Sequence, residues 1–140
     1  MKMNPYLLFN GQCEEAFNVY ARVLGGTIEA LMRHRETPGE ERGHAGWEDK
    51  VMHVSMRLGD VVLMGSDAPP AYFQQPQGFS VSLQFADPAE GEKVFDALAE
   101  GGQVRMPFQG TFWAAGYGML VDRFGIPWMI NCGQKGVGAA

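Results

Sequence analysis

A histidine within an apolar run is the residue of this sequence best suited to acid-base or hydrogen-bonding chemistry. His53 stands in the segment VMHVSMRL. Because an imidazole titrates near neutral pH, it can donate or accept a proton under physiological conditions. Strand alternation places His53 with Val51 and Ser55, opposite Val54 and Met56. We expect His53 to be a polar anchor in a mostly apolar pocket, and the alternative is a histidine that only packs.

Aromatic and sulfur-containing side chains supply further candidates for ligand binding. Pockets for small organic molecules are mostly apolar with a few polar groups, and a thioether adapts to irregular shapes. The candidates of this kind are Trp113, Tyr117, Trp128 and Met64. The alternative for each is core packing, since large apolar side chains also fill protein interiors.

Two further side chains are candidates through their local setting. Asp67, in SDAPP, directly follows a predicted strand, so it either contacts a ligand or orders a turn through backbone amides. Cys13 stands at a predicted helix start, where the helix dipole lowers a thiol pKa and favours a nucleophile. No base partner lies near Cys13 in the sequence.

The polar connection 34–50 contains several residues of metal-ligating type. They are His34, Glu36, Glu40, Glu41, His44, Glu48 and Asp49. Their spacing matches no metal site, and such a charged segment predicts a solvated loop. The connection is long enough to form a lid or an arm that reaches a second subunit.

The composition excludes several classes of protein. A chain of 140 residues with 46% hydrophobic and 19% charged residues is typical of one globular domain. No apolar run approaches the roughly 18 residues of a membrane helix. A net charge of −5 without a basic cluster argues against nucleic acid, so a small organic molecule or a second copy is the expected partner. Two cysteines and no signal segment indicate a cytoplasmic protein.

Periodicity and turn residues predict two helices and eight strands. The helices cover 12–24 and 88–100, each followed by a glycine pair that ends it. The strands cover 5–9, 27–33, 51–58, 61–65, 79–85, 103–107, 116–122 and 126–131. The order strand, helix, Gly-Gly and three strands therefore occurs twice, which indicates an internal duplication.

Four segments carry a family resemblance across nearly the whole chain. They are NPYLLFNGQCEEAFNVYARVLGG, VMHVSMRLGDVVLMGSDAPP, QGFSVSLQFADPAEGEKVFDALAEGG and TFWAAGYGMLVDRFGIPWMIN. The sequence resembles the PhnB-like branch of the vicinal-oxygen-chelate (glyoxalase and bleomycin-resistance) superfamily. This resemblance implies an α+β fold in which two βαβββ modules, about 5–65 and 79–132, form a curved eight-stranded mixed sheet around a cavity. It also implies a single domain over 1–140 and a homodimer.

The resemblance also locates the metal site of the superfamily's enzymes, which hold a divalent ion with His and Glu. The corresponding positions fall near Pro5, Leu63, Val81 and Met129, none of which ligates such a metal. A Glu and a His that flank TFWA in similar proteins are replaced by Gly110 and Ala115. We therefore expect no metal.

Three functions follow from these observations. The first is a metal-independent small-molecule-binding protein without a cofactor. The second is a glyoxalase-like enzyme that acts on a small organic substrate, with His53 as its acid or base, and the third is a structural or partner-binding module. Some similar proteins are labelled as ubiquinone-related methyltransferases, but Gly116-Tyr117-Gly118 leads into a predicted strand without the helix of a nucleotide site.

Overall fold

The computed structural model describes residues 1–36 and 46–134. The chain divides into two compact units, Met1–Gln75 and Pro76–Ala140, and each contains one module. No helix in the described part of the chain is long and apolar enough to span a membrane. Each unit is a four-stranded sheet with one helix packed on it.

The first module consists of one helix and four strands, β1 to β4. In chain order they are β1 (Tyr6–Phe9), α1 (Cys13–Leu24), β2 (Thr27–Arg33), β3 (Val51–Leu58) and β4 (Val61–Asp67). The strand order in the sheet is β1-β4-β3-β2, with β1 and β4 parallel and the other neighbours antiparallel. A short 3-10 turn, His34–Glu36, follows β2.

The second module repeats this arrangement with its own strands and helix. They are β5 (Val81–Phe85), α2 (Pro88–Ala99), β6 (Gln103–Gln109), β7 (Ala114–Val121) and β8 (Pro127–Gln134). The order β5-β8-β7-β6 again joins a parallel outer pair to two antiparallel pairs. The α+β class and the duplicated βαβββ modules are confirmed. The eight strands form two four-stranded sheets, and the cavity stays a prediction.

Local sequence signals explain where the helices begin and end. Gly25 closes α1 in the left-handed conformation (φ 76°), which glycine adopts without steric cost. Asp87 caps α2 by accepting a hydrogen bond from the Ala89 N–H, and Pro88 occupies the first turn. These signals are short-range, so the predicted helix bounds agree with the structure to within one residue.

The hydrophobic core of each module lies between the helix and one face of its sheet. In the first module Leu7 and Phe9 of β1 are buried with Phe17 and Tyr20 of α1. Phe17 packs edge-on against both Phe9 and Tyr20. In the second module Phe95, Leu98 and Ile130 are among the buried residues. The helix therefore fixes which face of each strand is available for other contacts.

Candidate functional site

Two opposite faces can be distinguished on each sheet, and we call the face opposite the module's helix the helix-free face. In the first module a Cβ added to Gly65 of β4 would stand 2.8 Å from the Phe17 ring of α1. Gly65 pairs with Val54 of β3, so Val54 shares the side that faces the helix. His53 therefore lies with Ser55 on the helix-free face, opposite Val54. Val51, which alternation alone predicts on the same face, is fully buried, and the pairing of β2 with β3 is irregular between His53 and Val51.

Tyr6 of β1 contacts His53 across the intervening strand β4. Tyr6 Oη lies 3.0 Å from His53 Nδ1, and the two rings are stacked with centroids 5.7 Å apart. The hydroxyl donates to Nδ1 when the ring proton is on Nε2, which leaves that N–H available to a ligand. Tyr6 is 43% exposed and His53 is half-buried. Tyr6 is not among the candidates predicted from the sequence, because the contact depends on the order of strands in the sheet.

Met64 lies on the same helix-free face and links Tyr6 to the neighbouring strand. It pairs with Tyr6 of β1 and with Ser55 of β3. This row places a thioether between two hydroxyl-bearing side chains, close to His53. The geometry suits contacts to a small organic molecule that is partly apolar.

In the second module an aromatic cluster stands beside the helix-free face. Trp113 and Tyr117, both half-buried, meet edge-on with centroids 5.2 Å apart. Phe112, which is 78% exposed, packs edge-on against Trp113 at 4.9 Å. The structure thus brings together two of the predicted ligand-binding residues and adds the exposed ring of Phe112.

Trp128 lies in the core on the opposite side of the same sheet. It alternates with Met129 and shares its face with Ile130, which lies near α2. The side chain is fully buried, and its indole N–H donates a 2.9 Å hydrogen bond to Asp122 Oδ2. Asp122 Oδ1 also accepts the N–H groups of Phe124 and Ile126, so this cluster closes the β7–β8 turn.

Asp67 is a buried junction between three segments of the first module. Its Oδ1 accepts the N–H groups of Gly11 and Cys13, and its Oδ2 accepts the N–H of Val51, each at 2.9 Å. The side chain is almost fully buried. Both carboxylate oxygens are therefore occupied by backbone amides, in agreement with the turn-ordering alternative.

The environment of Cys13 opposes nucleophilic chemistry. Burial, followed by the nearby carboxylates of Asp67 and Glu14, raises the pKa of the Cys13 thiol far above its ordinary value. The favourable helix dipole is outweighed because the thiol is removed from water beside negative charge. Cys13 therefore stays protonated at neutral pH.

Part of the 34–50 connection is more ordered than its charge suggests. His34 is buried rather than solvated, and its Nε2 lies 3.2 Å from the Asp67 carbonyl oxygen. Glu36 accepts a hydrogen bond from the Arg33 N–H, and Asp49 forms an ion pair with Arg35. The predicted lid or arm includes residues 37–45, which lie outside the described residues.

Comparisons with known proteins place the chain in a family. The family model described as 3-demethylubiquinone-9 3-methyltransferase matches residues 1–131. The chain belongs to this family. Protein YjdN of Escherichia coli (strain K12) is 35% identical over 139 residues, covering 94% of this chain and 95% of YjdN.

Solved structures of the family share the whole fold. Protein PA1353 from Pseudomonas aeruginosa is 48% identical with a TM-score of 0.87, covering 96% of this chain and 99% of PA1353. The PhnB protein from Bacillus cereus, which carries the same methyltransferase description, is 25% identical with a TM-score of 0.80 (94% and 99% covered). A possible glyoxalase from Bacillus cereus shares the fold alone, at 18% identity and a TM-score of 0.59 (92% and 96% covered).

The positions that the family resemblance assigns to the superfamily's metal ligands can now be located on the two faces of each sheet. Leu63 pairs with Met56, whose side chain lies by Gly26 at the end of α1, so Leu63 faces the helix. Val81 pairs with Trp128 on the helix side of the second sheet. On the helix-free faces the corresponding residues are Tyr6, Met64, Ser82 and Met129. This donor set does not fit a divalent metal that requires imidazole and carboxylate ligands.

The glycines of the Gly-Tyr-Gly segment have a packing role in β7. A Cβ added to Gly116 would stand 2.4 Å from the Phe108 ring, and one added to Gly118 would stand 2.6 Å from Phe95. Both glycines therefore make room for aromatic side chains between the sheet and α2.

Within residues 1–36 and 46–134, no three His, Cys, Asp or Glu side chains are grouped to hold a metal ion.

Proposed function

We propose that this PhnB-like protein binds a small organic molecule at the helix-free faces of its sheets, without a divalent metal. The observation that carries the proposal is the contrast between the two faces of each sheet. The helix side carries the packed apolar core, whereas the helix-free side presents polar and aromatic side chains that are half-buried or exposed. Such a mixture is typical of sites for small ligands.

The residues proposed to contact the ligand are those on or beside the helix-free faces. In the first module they are His53, Met64 and Tyr6, and in the second module Trp113 and Tyr117. Asp67 and Trp128 are omitted because their polar atoms already form buried structural hydrogen bonds.

A thermal-shift screen tests the binding function. Metal-stripped protein is melted with a library of small oxygenated and aromatic compounds. A compound at about 100 times its dissociation constant adds roughly 2.7 kcal/mol to the free energy of unfolding, which is readily measured. Failure of every compound to stabilise the protein would favour the structural or partner-binding module.

A glyoxalase-like enzyme is the second candidate function, and the Tyr6–His53 contact favours it. The Tyr6 hydroxyl can donate to or accept from His53 Nδ1, so it can hold the imidazole in place in either protonation state, which suits general acid-base catalysis. Turnover of a stabilising compound, lost in His53→Gln, would distinguish enzyme from binding protein.

The cytoplasmic location and the homodimer are also proposals. A monomer in sedimentation at micromolar concentration would contradict the dimer.

A further inference from the structure

The helix-free face of the second module carries two adjacent rows of side chains with different chemistry. The polar row crosses the sheet from β5 through β8 and β7 to β6. Its members, each paired with the next, are Gln84, Asn131, Tyr117 and Gln109. The methionine row consists of Ser82, Met129, Met119 and Met106. With neighbouring strands about 4.8 Å apart, each row spans about 14 Å, enough for a bicyclic ring system.

Asn131, in the middle of the polar row, has an unsatisfied hydrogen-bond acceptor. Its Oδ1 is buried and has no hydrogen-bond partner among the described residues. A buried carbonyl oxygen without a donor is costly, so native structures rarely retain one without a reason. The two row neighbours, Gln84 and Tyr117, do not supply the missing donor. A ligand that brings an O–H or N–H group would satisfy it.

The aromatic cluster adds a surface for a flat ring beside these rows. Trp113 packs on Tyr117, and Phe112 extends the cluster with a ring that is 78% exposed. Aromatic edges and thioethers both make favourable contacts with an aromatic ring. Neither row contains an acidic or basic residue, so nothing in the rows would compensate the charge of an ionised ligand.

From these features we infer that the second module binds a neutral, flat aromatic molecule that carries a hydrogen-bond donor. The ring lies over the polar row, between Trp113 on one side and the methionine row on the other, and its O–H or N–H donates to Asn131 Oδ1. This inference rests on the proposed binding function and deepens it by naming the class of ligand.

A matched pair of probes tests the role of the donor. Indole and 1-methylindole have nearly the same ring, but only indole donates a hydrogen bond. In calorimetric titrations the wild-type protein is expected to bind indole roughly three- to tenfold more tightly. Asn131→Leu should remove this preference, whereas Asn18→Leu, the same substitution at an exposed position of α1, should retain it. Trp113→Ala should weaken both probes about equally.

The stability of the unliganded variant provides an independent readout. Because Asn131→Leu removes an unsatisfied buried oxygen, the variant should melt at or above the wild-type temperature. An unfolded or clearly destabilised variant, an unchanged preference for indole, or no saturable binding of indole would each overturn the inference. The binding function itself would stand if other compounds from the library stabilise the protein, so the two failures are distinguishable.

Discussion

His53 of β3 and Tyr117 of β7 occupy the same register position in the two modules. His53 lies two residues before Ser55, which pairs with Met64. Tyr117 lies two residues before Met119, which pairs with Met129. The duplicated scaffold therefore presents a polar side chain at the same place twice, on the helix-free face. The chemistry differs, since an imidazole can exchange protons near neutral pH and a phenol is mainly a hydrogen-bonding and stacking group.

Replacing His53 by Gln is expected to affect ligand binding more than stability. The hydrogen bond of His53 to Tyr6 is exposed, so its loss should change the free energy of unfolding by less than about 1 kcal/mol. Affinity for a compound selected in the thermal-shift screen should fall about tenfold if the imidazole is its polar anchor. Melting and titration of the same samples measure both quantities, with Tyr6→Phe as the matched variant. A destabilised His53→Gln with unchanged affinity would support a purely structural histidine.

Replacing Asp67 by Asn should destabilise the first module strongly. The amide keeps one oxygen, so its NH2 group must face either the N–H of Val51 or those of Gly11 and Cys13. The loss of buried, charge-assisted hydrogen bonds should lower the free energy of unfolding by about 2–4 kcal/mol. Urea denaturation measures this, and Asp60→Asn in the exposed β3–β4 turn is the control. Equal stability of the two variants would refute the junction role of Asp67.

Cys13 should make the protein less stable at alkaline pH. The raised pKa of its thiol means that only the unfolded state ionises once the pH exceeds the ordinary thiol value of about 8.5. The stability due to the neutral thiol is therefore complete below that pH and is lost as the pH rises, by about 2 kcal/mol between pH 8 and 10.

The Cys13 effect is measured by urea denaturation at both pH values. Because the described cysteines are Cys13 and Cys132, a Cys132→Ala background leaves Cys13 as the single thiol. Adding Cys13→Ala to that background should reduce the alkaline loss by the predicted amount. An identical loss with and without Cys13 would show that the thiol ionises equally in both states.

Local patterns predicted the elements of the fold but not every contact between them. The glycine at position 25 and the Asp87-Pro88 pair act within one turn of helix, so they are readable from sequence. Strand alternation likewise placed His53 on the face of β3 opposite Val54. The contact between Tyr6 and His53 joins strands separated by β4, and only the sheet order reveals it.

The predicted site is most sensitive to shifts of one residue. Strand faces alternate, so Leu63 lies on the helix side and Met64 on the helix-free face, and a one-residue shift moves a candidate position from one face to the other. Trp128 was a ligand candidate by residue type, but its alternation with Met129 directs it into the core towards Asp122. The sequence does not predict that Asn131 Oδ1 lacks a hydrogen-bond donor, because this depends on which side chains surround the atom in the folded protein.

The most direct test of metal-free ligand binding is one thermal-melt titration performed with and without a chelator. Protein is dialysed against EDTA and melted with a stabilising compound, and the series is repeated after addition of zinc, nickel or manganese ions. Because the helix-free faces offer Tyr6, Met64 and Ser82 where metal ligands would stand, the compound should raise the melting temperature equally in all samples. Stabilisation that appears only when a divalent ion is present would contradict the account.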